Sequence, residues 1–265
     1  MTLAGKTLAG RRILVTRPRR PGEAREPLAA MLRGLGAEVL WLPALEIGPP
    51  DDWSPLDRAI DRLSGFDWLV FTSRNGVEGF ASRLSERPGE RGLTWNGSPK
   101  VAAVGRKTAE ALKRLGRAEV HIPPEPLASA LAASLAGECE GRRFLWPRAQ
   151  VAPVLLAQQL LQAGAAEVVT AACYAARPAR ADAGPVRTVL ADGRIDAVVF
   201  TSARAVEATL QALGNSATQW LSLIVRICIG PVTAQACRAF GLGAPIVADG
   251  SLEGLVRVLI ETLGG

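Results

Sequence analysis

The chain has 265 residues and a formal net charge of +6, from 27 Arg and 4 Lys against 25 acidic side chains, with one His. At 48% hydrophobic and 21% charged it is globular and too long for one ordinary core, so disorder is excluded and two domains are expected. One His excludes a site built on several imidazoles, four Cys without C-x-x-C spacing exclude a zinc cage or redox pair, and no apolar run reaches membrane-spanning length. The first ten residues lack the pattern of a secretory signal, and the cysteines read as buried small hydrophobes. A cytoplasmic location is therefore expected.

Along the chain, Arg12–Thr16 (RILVT) reads as a buried strand, and Glu23–Leu35 as the helix after it, stopped by Gly36. Val39–Ile47 is a longer extended stretch, followed by Pro49-Pro50. Ser54-Pro55, with Asp57 in the first turn, opens a helix. Strands are expected at Trp68–Phe71, Val101–Val104, Val120–Ile122 and Phe144–Trp146, then at Ala197–Phe200 and Ile227–Ile229. Val168–Ala176 is a second long extended stretch, followed by Pro178, and is expected to pair with the first as the connection between the domains. Ser85–Pro99 and Arg180–Pro185 read as surface loops. Short apolar strands spaced by amphipathic helices mean parallel sheets covered on both faces, an α/β fold.

The pattern occurs twice. Phe66–Phe80 (FDWLVFTSRNGVEGF) aligns with Ile195–Thr209 (IDAVVFTSARAVEAT), identical at seven of fifteen positions. Val104–Ala109 matches Ile229–Ala234, and Gly10–Leu14 matches Gly141–Leu145, in the same order and at offsets of 129, 125 and 131 residues. Any two strand–helix units share apolar strands, but not three motifs in register. The period suits two copies of one domain rather than a solenoid.

No phosphate loop, dinucleotide fingerprint, G-x-S-x-G or H-E-x-x-H is present; Gly5-Lys6-Thr7 lacks the preceding strand and glycine. Asn75-Gly76 opens a helix rather than a hairpin. What remains are polar strand ends: Thr16-Arg17, Thr72–Asn75, Gly105–Thr108, Pro147-Arg148, Thr201-Ser202 and Gly230–Thr233. Ligands of open parallel sheets bind beyond the carboxyl ends of the strands, where helix N-termini favour anions by about 0.3–1 kcal/mol each. For any single hydroxyl, capping its own helix is the competing use. The basic excess points to an anionic small molecule; nucleic acid is disfavoured because no basic run is interleaved with aromatics. Tyr174 is the only tyrosine and, taken alone, reads as packing.

I-L-V-T-R-P (Ile13–Pro18), F-T-S-x-N-G-V (Phe71–Val77), V-G-x-x-T-A (Val104–Ala109), Tyr174, F-T-S-x-x-A-V (Phe200–Val206) and I-G-P-x-T-A (Ile229–Ala234) follow one another in that order. Together they resemble the uroporphyrinogen-III synthase family of tetrapyrrole biosynthesis, over residues 10 to about 263. The resemblance implies two flavodoxin-like parallel-sheet domains joined by a two-stranded β-ladder. Residues 1–38 with 177–265 would form a discontinuous domain, 47–167 an inserted one, and 39–46 and 168–176 the linker strands. It implies cyclisation of hydroxymethylbilane, a linear polycarboxylate, with loss of water and inversion of the terminal ring through a spiro intermediate. It also implies a monomer working without metal or cofactor, away from membranes.

The resemblance further implies Tyr174 as the catalytic residue, assisting departure of the hydroxyl. Thr108 and Thr233 match the threonines of the family's paired G-x-x-T-A turns, and Ser73 and Ser202 its paired T-S serines. With Thr16, Arg17, Gly105, Arg148 and Gly230 these are the expected substrate-binding residues. The first repeat has Arg74-Asn75-Gly76 where the second has Ala203-Arg204-Ala205, so neither Arg74 nor Arg204 is carried over. A non-catalytic binding or regulatory module for an anionic small molecule is the competing expectation.

Overall fold

A computed structural model of the chain describes residues 7–19, 26–87 and 99–265. In chain order its elements begin with β1 (Arg12–Val15), α1 (Pro27–Gly34), β2 (Glu38–Trp41) and β3 (Leu45–Gly48). There follow α2 (Ser54–Asp61), β4 (Trp68–Phe71), α3 (Arg74–Glu86), β5 (Lys100–Ala103), α4 (Arg106–Arg114) and α5 (Ala128–Leu135). Next come β6 (Arg143–Ala149), α6 (Leu155–Gln162), β7 (Glu167–Pro178), α7 (Gly184–Ala191), β8 (Ala197–Phe200) and α8 (Ala203–Leu213). The chain closes with α9 (Ala217–Ser222), β9 (Val225–Cys228), α10 (Pro231–Ala239), β10 (Ile246–Val247) and α11 (Leu252–Leu263). Two compact units form: Met1–Ile47 with Arg177–Gly265, and Gly48–Ala176.

One sheet runs β10-β9-β8-β1-β2 and the other β3-β7-β6-β4-β5. The pairings of β1 with β2 and β8, of β9 with β8 and β10, of β4 with β5 and β6, and of β6 with β7 are all parallel. The central strands β4 and β8 are buried at every position, as near-continuous apolar runs in a doubly covered sheet should be.

The duplicated motifs adopt duplicated structure. Gly10 and Gly141 both turn with positive φ, +75° and +68°. Beyond them Asp196 accepts the Arg12 N–H at 2.7 Å and Asp67 accepts the Arg143 N–H at 2.8 Å. Arg11 and Arg142 pair with the same two carboxylates. Each clasp fixes the register between the first strand of a repeat and its neighbour, and the backbone bond from Arg143 holds the Asp67 carboxyl below its usual range. Arg11 and Arg12 in the first unit, and Arg142 and Arg143 in the second, are thereby strand clasps.

Several boundaries differ from the sequence expectation. The extended stretch expected over 39–46 is not one linker strand. Pro43 sits in a tight turn closed by the Ala44 N–H on the Leu42 carbonyl, 2.9 Å, which divides it into β2, a member of the first sheet, and β3. The expected strand 168–176 is part of the longer β7, which pairs with β6 in the second sheet. Val120–Ile122 makes only a single bridge, His121 with Ala102, because Pro123 and Pro124 cannot donate to a ladder. Ser54 is the first helical residue rather than the cap; Asp52 accepts its N–H at 2.8 Å. Ser85 and Glu86 extend α3, with Glu86 paired to Arg83, while 88–98 of the expected loop lie outside the described residues. Gly184-Pro185 opens α7 rather than ending a loop.

Helix α3 runs so close to the strands beneath it that a Cβ at Gly79 would overlap the Cys173 carbonyl oxygen, and one at Gly76 would lie 3.2 Å from that of Pro147. Gly79→Ala is expected to cost about 2–3 kcal/mol of unfolding free energy in urea melts. Gly34→Ala, in a helix with open space beside it, should instead be neutral or stabilising by up to about 1 kcal/mol. Equal effects of the two substitutions would remove the close approach as the cause.

Candidate functional site

In the second unit the carboxyl ends of β4, β5 and β6 carry Ser73, Gly105 and Arg148, and β7 carries Tyr174. Ser73 is extended (φ −157°, ψ 153°) and caps α3, its Oγ accepting the Gly76 N–H at 3.0 Å. The same oxygen lies 3.1 Å from the Tyr174 hydroxyl. Tyr174 is half-buried against the core that includes Phe71, Val77, Phe80 and Cys173. A register shift between Arg148 and Ala149 sets Ala149 opposite Tyr174, rather than Cys173, on the paired strand.

Arg148 is held differently from most arginines of the chain. Its guanidinium lies over the Trp146 ring at 5.1 Å and donates to the Ala152 carbonyl. Its Nε is buried without a partner, and no carboxylate pairs with it among the described residues. Burial lowers its pKa from the usual arginine value, yet a guanidinium stays charged at neutral pH. Trp146 in turn donates to the Thr72 hydroxyl at 3.2 Å, which ties the β4 end to the β6 end.

Gly105 caps α4 with no side chain to satisfy the first N–H groups, and Thr108 follows within that turn. The equivalent cap in the first unit is Gly230 on α10, followed by Thr233; the two glycines share one extended conformation, φ −171° and −168°. Thr108 and Thr233 are buried, and neither hydroxyl has a protein partner among the described residues. Ser202 caps α8 through the Ala205 N–H at 3.2 Å, with no tyrosine beside it. The Ser202 and Gly230 turns lie at the carboxyl ends of the neighbouring strands β8 and β9.

Two expected ligand residues are otherwise engaged. Thr16 is fully buried, and its hydroxyl donates to the Val199 carbonyl at 2.9 Å, so it tightens β1 against β8 and cannot reach a ligand. Arg17 pairs with Glu26 at 2.7 Å, and Glu26 also caps α1 by accepting the Ala29 N–H. The guanidinium of Arg17 is thus spent on a nearly buried carboxylate, while its carbonyl accepts from Trp41 Nε1. Sequence reasoning missed Glu26 and Gly79, of which only Gly79 had a legible signal, its i+3 spacing from Gly76 on one helix face.

Elsewhere, a hollow of about 680 Å³ includes Lys100, Lys113, Arg117 and His121 in its lining. Lys113 sits in the last turn of α4, where positive charge offsets the carbonyl end of the helix, and Lys100 is paired with Glu138. Among the described residues no group of His, Cys, Asp or Glu could hold a metal ion, and the four cysteines are free and buried. Among the described residues no helix is long and apolar enough to cross a membrane.

A family model described as "HEM4: Uroporphyrinogen-III synthase HemD" matches residues 26–256. The chain belongs to the uroporphyrinogen-III synthase family. A uroporphyrinogen-III synthase of Synechococcus elongatus is 34% identical over 241 residues, covering 89% of each chain. A putative uroporphyrinogen-III synthase of Methanothermobacter thermautotrophicus is 28% identical over 252 residues, covering 92% of this chain and 97% of that one. Among solved structures, a mutant uroporphyrinogen III synthase of Thermus thermophilus superposes with a TM-score of 0.68 at 19% identity, covering 96% of this chain and 98% of that one. The Helicobacter pylori enzyme follows at 0.61 and 18%, covering 95% and 99%. These structural likenesses establish the α/β fold with its two parallel sheets.

The internal role of Thr16 is open to test. Thr16→Val is expected to lower stability by about 1 kcal/mol through the lost hydrogen bond, with Thr16→Ser retaining most of it. An undiminished Val variant would return the hydroxyl to a ligand role.

Proposed function

We propose that the chain cyclises hydroxymethylbilane to uroporphyrinogen III, with Tyr174 as the acid that assists departure of the hydroxyl. The observation that carries this is the meeting of the only tyrosine with the Ser73 cap at the carboxyl end of the second sheet, where β6 also carries Arg148, which no carboxylate pairs with among the described residues. The C–O bond of the hydroxymethyl group breaks with its electron pair going to oxygen, and the phenolic proton completes a water molecule. The lone pair of the adjacent pyrrole nitrogen delocalises onto the carbon left behind. The α-carbon of the terminal pyrrole that already bears a methylene bridge attacks it, giving the spiro intermediate. Its bond to the old bridge then breaks, with the neighbouring pyrrole nitrogen stabilising the released methylene carbon. The free α-carbon of the terminal ring closes on that carbon, which inverts the ring. The proton lost as aromaticity returns restores the phenol, so the balance is one water released.

The enzyme's task is to hold a flexible polycarboxylate in one geometry, a matter of proximity and orientation. Arg148 would take one carboxylate by charge-assisted hydrogen bonds. The unsatisfied first turns at Gly105 and Gly230, with Thr108 and Thr233 behind them and Ser202 near the second, would offer N–H and hydroxyl groups to others. Both units are read as flavodoxin-like. Support comes from the first sheet, whose order becomes 2-1-3-4-5 when its strands are numbered within their unit. The connecting ladder reduces in this reading to β3 and β7, neighbours in the second sheet.

Incubation with fresh hydroxymethylbilane, oxidation and separation of isomers tests the activity: the type III isomer is expected, and type I alone at the rate without enzyme would refute it. Tyr174→Phe should lower kcat at least tenfold, within the range of general acid catalysis, at unchanged stability. Arg148→Met should raise KM about tenfold and flatten its rise with salt. An unchanged KM and salt response would take Arg148 out of the site.

A further inference from the structure

The contact between Ser73 and Tyr174 does more than bring a phenol to the strand ends. A serine hydroxyl has one proton and two lone pairs. The Gly76 N–H already uses one lone pair of Ser73 Oγ, at 3.0 Å, which leaves the Ser73 proton able to point at the Tyr174 oxygen, 3.1 Å away. A phenol that accepts this bond keeps its own proton for another oxygen. The equivalent cap in the other repeat shows that the tyrosine is not needed to build it. Ser202 has almost the same backbone angles, φ −162° and ψ 156°, caps α8 in the same way, and has no further side-chain partner among the described residues. Ser73 also sits on a helix packed closely from below, since Gly76 and Gly79 let α3 approach the Pro147 and Cys173 carbonyls at backbone distance.

We infer that Ser73 is a positioning residue for the reaction: anchored by the Gly76 N–H, its hydroxyl donates to Tyr174 Oη and fixes the ring where the phenol meets the departing hydroxyl. This rests on Tyr174 acting as the acid. A donor to the phenol oxygen also stabilises the phenolate that proton transfer leaves behind, so the bond strengthens as the reaction proceeds.

Because the chain has one tyrosine, tyrosinate absorption titrated against pH reports Tyr174 alone. Ser73→Ala is expected to move the phenol midpoint upward and to lower kcat about tenfold with KM within about twofold, the effect of losing one hydrogen bond in the transition state. Ser73→Gly, which a helix N-cap tolerates with little loss of stability, should do the same if the Ala variant folds poorly. Ser73→Thr keeps a hydroxyl at the cap and should restore both quantities. Ser202→Ala should leave the phenol midpoint where it is. A downward shift would make Tyr174 the donor, and an unshifted midpoint in the Ala and Gly variants would make the contact mere packing; either result overturns the inference. Full turnover in Tyr174→Phe would instead sink the acid reading, while the titration would still report whether Ser73 donates.

Discussion

Helix α3 lies at backbone distance from the strands it covers, and the candidate site depends on that. Two glycines in a helix cost about 1 kcal/mol each relative to alanine. Their return is contact at backbone distance, Gly76 over the Pro147 carbonyl and Gly79 over that of Cys173. Val77, Phe80 and Leu84, on the same helix, are then buried in the core with Phe71, whose ring meets Phe80 edge-on at 5.7 Å. Each large side chain so buried contributes about 1.5–3 kcal/mol, which outweighs the glycines. The N-terminus of α3 is consequently fixed relative to β6 and β7, and Ser73 reaches Tyr174 without a flexible segment between them. Sites built on elements packed this way hold their geometry better than sites carried on loops.

Duplication supplied the scaffold and left chemistry to the differences. The paired aspartates Asp67 and Asp196 take the same backbone N–H from the neighbouring strand, the paired serines Ser73 and Ser202 cap the same helix, and the paired glycines Gly105 and Gly230 open the next one. These are solutions to general problems, namely strand register and unsatisfied helix N–H groups. Tyr174 breaks the equivalence, since only one of the two serine caps gains a phenol. The first repeat has its own departure: β1 ends in the buried Thr16 and the Arg17–Glu26 pair, where β6 continues into Pro147-Arg148, whose arginine meets no carboxylate among the described residues.

How much was legible follows from which forces act locally. Strand positions such as Trp68–Phe71 and Ala197–Phe200 were readable because apolar runs between capping residues leave few alternatives. The repeat was readable because its motifs answer backbone constraints that any copy must meet. The division of 39–46 was not, because Val39–Trp41 and Leu45–Gly48 are equally extended, and only tertiary pairing separates a sheet strand from a connection. The role of Thr16 was hidden for the same reason: a threonine after a strand reads as a ligand group until its hydroxyl is found on the Val199 carbonyl. Arg17 and Arg148 looked alike in sequence, each just past the end of an expected strand. Glu26, nine residues beyond Arg17 and unremarkable by itself, distinguishes them.

That difference gives the basic composition its meaning. Arg11, Arg12, Arg62, Arg83, Arg142 and Arg257 each meet a carboxylate of the chain, and the exposed pairs among them contribute little to stability. Net charge alone therefore says little about where an anion would bind. Arg148 is the informative case because its cost is visible: burial lowers its pKa, Nε has no acceptor, and the neighbouring ring and carbonyl satisfy the guanidinium only in part. Removing a charge from water without an ion partner is expensive, and a carboxylate arriving at that face would offset the expense on binding rather than on folding. An arginine held in this state is preorganised toward an anion, whereas an arginine already paired would have to surrender one carboxylate to take another. The same economy applies to the open turns at Gly105 and Gly230, whose N–H groups are left unsatisfied by side chains in both repeats. Donors that the fold leaves unsatisfied in this way suit a ligand with many carboxylates and few other handles.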